Sequence, residues 1–94
     1  MDANEVLRLY AAGNRNFRQA DWKGISLIKA NLSGVDLTGD SLRDSDLSGS
    51  DLSNANLNWA ALTGAKLSRT NLKGVKMPDG RIHNERLDSA NYLG

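Results

Sequence analysis

Residues 30–59 read ANLSG VDLTG DSLRD SDLSG SDLSN ANLNW, six units of five with leucine in the third place of each. The same phase runs outward in both directions. ADWKG and ISLIK precede the stretch from residue 20, and AALTG, AKLSR, TNLKG and VKMPD carry it to residue 79. The third places of these units are Trp22, Leu27, Leu32, Leu37, Leu42, Leu47, Leu52, Leu57, Leu62, Leu67, Leu72 and Met77, without a polar residue among them. The first place is mostly small: Ala20, Ala30, Val35, Ser45, Ser50, Ala55, Ala60, Ala65, Thr70, Val75. The fifth is often glycine, at Gly24, Gly34, Gly39, Gly49, Gly64 and Gly74.

A period of five fits no simple element. On an α-helix five residues advance about 500°, which scatters the leucines over every face. In a flat strand an odd period sends successive leucines to opposite faces. A chain that runs extended for about three residues and then turns a corner of roughly 90° keeps them all inside. First and third residues are two apart, so both point inward from one extended piece. Residues two, four and five face outward or form the corner, where glycine suits the φ > 0 of a type II turn. Four corners close a square coil, and coils stack at the ordinary strand spacing of about 4.8 Å. Alternating large and small side chains then fill a narrow prism.

The units ANLSG, VDLTG, SDLSG and TNLKG resemble the pentapeptide-repeat family: a small residue, Asp or Asn, Leu or Phe, then two polar or turn residues. The resemblance covers residues 20–79, about three coils. It implies an all-β solenoid, the right-handed quadrilateral parallel β-helix, in a small member of the cyanobacterial type; the family is most expanded in cyanobacteria. Most of its members have no assigned activity.

A solenoid exposes its core at both ends. Residues 1–13 are expected to form an N-terminal capping helix: Asp2 and Glu5 have the spacing of a capping box, and Gly13 suits the stop. Val6, Leu9 and Tyr10 share one side of it, with Leu7 adjacent. Phe17 lies five before Trp22, so residues 14–19 read as a degenerate entry unit and the β-helix as residues 14–79. Met77-Pro78-Asp79-Gly80 is a turn signal, and the resemblance extends to it, since MPDG often closes members of the family. Beyond it Ile82, Leu87 and Tyr92 keep the phase, but Glu85 breaks the small first place. Residues 80–94 are a degenerate coil, a capping tail or a partner-binding edge.

The chain has 94 residues, enough for one domain, and no cysteine, which excludes disulfides and thiolate metal sites. Twelve Lys and Arg against 11 Asp and Glu leave a net charge of +1, with no overall pull toward nucleic acid or an anionic membrane. No apolar run approaches the ~20 residues of a membrane span, and the N-terminus lacks a signal-peptide pattern, so the expected location is cytoplasmic. Asn31-Leu32-Ser33 matches the glycosylation pattern by chance on this reading.

Catalytic chemistry finds no footing. His83 is the only histidine, and it is read as a solvated tail residue. Asp44-Ser45-Asp46-Leu47-Ser48-Gly49 imitates the start of a calcium loop, but Ala55 stands where the bidentate Glu belongs. No catalytic residue, cofactor or metal is expected. Asp40 is an anomaly, because a carboxylate occupies an inward first place between Ala20 and Ala60. It must bond to corner amides, be protonated, or turn outward through an opened corner. Trp59 falls at a corner between Gly39 and Asp79 and should be exposed. Trp59, Ile28 and Asp40 are the candidate interaction surface. Asp46 and Lys66 should stack one coil apart as a surface ion pair. Lys66, Arg69, Lys73 and Lys76 form a ring around three sides rather than a stripe, which argues against nucleic acid.

The expected function is a non-enzymatic protein-binding or scaffold module with an unidentified protein partner, either monomeric or a weak end-to-end dimer. The alternative is a DNA mimic that binds a type II topoisomerase such as gyrase, a role the resemblance brings from longer family members. Three coils of about 4.8 Å would need roughly eight surface negative charges to imitate a duplex. The net charge of +1 speaks against it, as does the lack of a long loop between repeats.

Overall fold

The computed structural model describes residues 1–83. The expectations for Glu85, Leu87 and Tyr92 fall outside the described residues. The chain coils with a pitch of twenty residues. Parallel bridges join Asn16 to Asp36, Asp21 to Ser41, Ser26 to Asp46, Asn31 to Asp51, and so on to Asn56 with Lys76. Each bridge is isolated, one residue wide, because a corner interrupts every side before a longer strand can form.

The backbone hydrogen bonds explain the repeat place by place. The first-place amide closes the corner, as Ser45 N–H does on Leu42 O at 3.1 Å. The second donates to the preceding coil: Asp46 N–H to Ile25 O at 2.8 Å. The third and fifth donate to the following coil: Leu27 N–H to Asp46 O at 2.8 Å and Lys29 N–H to Ser48 O at 2.9 Å. Only the fourth-place amide is left over, and an unpaired backbone donor is costly. A second-place Asp or Asn supplies the missing acceptor two residues back. Thr38 N–H donates to Asp36 Oδ1 at 3.0 Å, Ser53 N–H to Asp51 Oδ1 at 2.9 Å and Asn58 N–H to Asn56 Oδ1 at 2.9 Å. The Asp/Asn preference of the repeat is thus a local side-chain-to-backbone device.

All twelve third-place residues from Trp22 to Met77 are buried, as are Val35, Ala55, Ala65 and Val75 from the first place. Each fully buried aliphatic side chain contributes about 1.5–3 kcal/mol. Phe17 and Trp22 meet edge to face with centroids 5.7 Å apart, at the first coil.

Helix α1 spans Ala3–Ala11; Asp2 accepts from Glu5 N–H at its start. Val6 is buried in the core, and Ala3, Leu9 and Tyr10 pack against it, while Leu7 is exposed. Tyr10 Oη also donates to Ser33 O at 2.8 Å, which ties the helix to the first coil.

At the other end the winding stops at a hairpin. Strands β1 (Val75–Lys76) and β2 (Ile82–His83) pair antiparallel, with Lys76 opposite Ile82. Gly80 N–H donates to Met77 O at 2.8 Å, and the positive φ sits on Gly80 instead of Asp79. Moving the left-handed residue one place along turns a 90° corner into a reversal, the three-residue hairpin with its αL glycine. Ile82 keeps the five-residue phase in sequence but is 58% exposed, because β2 no longer winds with the coils. His83 is half-buried in β2, not solvated, and its carbonyl accepts from Gly74 N–H.

Candidate functional site

The inward first and third places are largely buried, so chemistry available to other molecules lies on the outward second, fourth and fifth places. Every fifth-place residue from Gln19 to Gly74 has φ > 0, including Gln19, Lys29, Asp44, Asn54, Trp59 and Arg69. Such a conformation costs a non-glycine residue about 1–2 kcal/mol. Reading the corners in columns twenty residues apart shows how they tolerate it. The columns are Gln19–Gly39–Trp59, Gly24–Asp44–Gly64, Lys29–Gly49–Arg69 and Gly34–Asn54–Gly74. Glycine and side chain alternate in each. The reason is contact along the axis: a Cβ built on Gly49 would lie 3.1 Å from Lys29 Cγ, and one on Gly64 or Gly74 would collide with Asp44 Oδ1 or Asn54 Oδ1. In these three columns the left-handed corner side chain leans onto the next coil, where glycine leaves it room; a Cβ on Gly39, one coil beyond Gln19, would meet nothing within 4 Å.

The structure places the three expected surface residues differently from one another. Trp59 is 77% exposed with φ 65°, a bulky residue in the left-handed region with almost no burial to compensate. Ile28 is 52% exposed. It lies one and a half coils from Trp59, on the opposite side of the prism, so the two do not form one patch. Asp40 is not a surface residue: it is 1% exposed. Its Oδ1 accepts from Ala20 N–H at 2.9 Å, and its Oδ2 is buried without a partner. Burial pushes its carboxyl up from 3.8 to about 6, against the lowering pull of the Ala20 and Gln19 amides.

Nor do Asp46 and Lys66 form the expected ion pair. They are bridged one coil apart, but Asp46 Oδ1 turns back to Ser48 N–H at 3.1 Å. The Ser48 hydroxyl and amide, with Lys66 beyond them, hold the Asp46 carboxyl below its usual range. Among the described residues the one ion pair is Arg81 with Asp79, at 3.6 Å. No group of three potential metal ligands occurs among them.

A groove unmarked by the linear repeat runs along one corner. Ile28, Lys29, Ser48, Gly49, Ser68 and Arg69 line a space of about 610 Å³. These are the fourth and fifth places of three stacked units. The signal was present as Lys-Gly-Arg in one column, visible only when the sequence is read modulo twenty.

The family profile for pentapeptide repeats matches residues 13–39 and 41–77, with eight copies. The chain is a member of the pentapeptide-repeat family. The two matched stretches part at Asp40, the one buried acid in the repeat. The pentapeptide-repeat assignment makes the coil a right-handed β-helix, as the solved relatives imply. A pentapeptide repeat protein of the cyanobacterium Cyanothece is 34% identical with a TM-score of 0.66, over 71% of this chain and 46% of that one. Another, from the thylakoid lumen of Arabidopsis thaliana, is 31% identical with a TM-score of 0.51, over 67% of this chain and 47% of that one. The chain thus spans about half the length of these two proteins. No curated protein matches it. Pentapeptide-repeat proteins are generally non-enzymatic repeat structures.

Proposed function

We propose that this pentapeptide-repeat chain is a protein-binding or scaffold module without enzymatic activity, working in the cytoplasm as a monomer or a weak end-to-end dimer. In this reading α1 closes the first coil, with Val6 inserted over the Phe17–Trp22 layer, and the corners present contact residues on a rigid frame. One observation carries the proposal. Trp59 is held 77% exposed in a left-handed conformation, where glycine or asparagine would serve the fold better. Exposed tryptophan on a preorganised backbone is the residue type that most often anchors a protein interface.

The test is affinity capture from native extract with the wild-type chain and with Trp59→Asn. Asparagine tolerates the left-handed corner, so the variant should melt no lower than wild type and yet lose the captured protein. Equal capture by the variant removes Trp59 from the interface. A wild-type chain that retains nothing specific ends the protein-binding reading.

A further inference from the structure

We propose that the groove along the Lys29–Gly49–Arg69 corner receives an extended acidic peptide segment of a protein partner, with carboxylates two residues apart. The proposal rests on the protein-binding reading and adds the chemistry of the partner. Lys29 and Arg69 flank the groove, and neither forms an ion pair among the described residues. Their Cα atoms are two coils apart, about 10 Å at the usual spacing. The Lys29 stem leans along the column toward Gly49, within 3.1 Å of where a Cβ would stand. That lean carries the Lys29 stem along the column in the direction of Arg69. In an extended peptide, side chains on one face recur every two residues, about 6.7 Å. One carboxylate can then take the forked guanidinium of Arg69 and the next the ammonium of Lys29.

Gly49 leaves the floor between them without a side chain, and Ile28, 52% exposed, offers apolar contact at one end. The corner carrying Lys29 is also built differently. Ala30 N–H donates to Ser50 Oγ at 3.0 Å, and Ser50 Oγ donates to Leu27 O, so a buried hydroxyl replaces the usual corner bond. The acid on this side is Asp46, already engaged by Ser48 and faced by Lys66, and Asp51, two residues past Gly49 on the other flank, accepts from Ser53 N–H at 2.9 Å. Lys29, Lys66 and Arg69 against Asp46 leave the side with an excess of two positive charges. Two unpaired cations suit a short acidic strand. They are too few to follow a phosphate backbone, where each neutralised phosphate adds its share of affinity.

The experiment is fluorescence anisotropy of a labelled eight-residue peptide of alternating glutamate and alanine, titrated with the full chain at low salt. A glutamine-alanine peptide is the control. We expect the glutamate peptide to bind at least about tenfold more tightly than the control. Lys29→Asn and Arg69→Asn should each weaken it about fivefold, with melting temperatures unchanged because asparagine accepts the left-handed corner. Arg69→Lys, which keeps charge but not the fork, should also weaken it. Lys73→Asn, on another side, should have no effect. Equal binding of the glutamine peptide overturns the proposal, as does wild-type affinity in Arg69→Asn. Displacement by millimolar inorganic phosphate, or by a single-stranded oligonucleotide at lower concentration than the peptide, overturns it too. Trp59→Asn should bind the glutamate peptide like wild type. Loss of peptide binding with partner capture intact therefore sinks the groove alone, and the reverse sinks the Trp59 contact alone.

Discussion

Ser50 shows what Asp40 lacks. The Ser50 hydroxyl accepts from Ala30 N–H and donates to Leu27 O, completing a corner from the coil above. Asp40 stands in the same relation to Ala20 and accepts its amide proton, but an ionised carboxylate has no proton to give to the corner carbonyl of Phe17. Protonation would supply one, and burial of the carboxyl, resisted by the Ala20 and Gln19 amides, holds the proton to about pH 6 against 3.8 for the ordinary group. The folded pKa is raised, so the favourable contribution is full below about pH 4 and is lost as pH rises through 6. Asp40→Ser restores a donor at every pH. It should stabilise the chain by roughly 1–3 kcal/mol at pH 8 and by much less at pH 4. Urea unfolding at the two pH values measures this, and a gain that is equal at both would show that the Asp40 charge is not the cause. The anomaly of Asp40 was legible in the sequence because a first-place acid breaks the pattern. Its burial was not, because the deciding atoms belong to the corner one coil away.

At the scale of a single side and its corner, the inward row was legible because third-place residues need only the five-residue period. The corner columns were not, because they depend on contacts at twenty residues that a linear reading passes over. The alternation in those columns is testable. Gly64→Asn places a left-handed side chain where Asp44 already leans. It should cost about 1–2 kcal/mol, and adding Asp44→Gly should recover most of it. Additive losses in the double variant would mean that the columns do not couple. The end of the winding was half legible. Met77-Pro78-Asp79-Gly80 announced a turn, but only the backbone reveals that the left-handed residue moves from Asp79 to Gly80 and makes a hairpin. Helix α1 could be read from Asp2, Glu5 and the apolar side. Removing residues 1–13 strips Val6, Leu9 and Tyr10 from the core to which Phe17 and Trp22 belong. The shortened chain should self-associate in sedimentation or light scattering. A monomer with wild-type stability would show that α1 does not protect the first coil.

At the scale of the whole molecule, charge separates the two functional readings. A duplex carries about one negative charge per 1.7 Å, so a mimic built on three coils, about 14 Å long, would need an excess of roughly eight of them on its surface. The chain has 11 acids against 12 bases. Its surface aspartates are also committed locally: Asp36, Asp46 and Asp51 each accept the amide two residues ahead. They stand where the fourth-place amide requires an acceptor, and asparagine does the same work at Asn56 and Asn71. A local backbone requirement that either residue meets does not build a continuous acidic face. Gyrase supercoiling should therefore proceed unchanged with the purified chain at micromolar concentration, and quinolone poisoning should not be relieved. Inhibition in that range, abolished by charge reversal at Asp36, Asp46 or Asp51, would mean that local acidity is sufficient and would put the topoisomerase reading ahead of the scaffold.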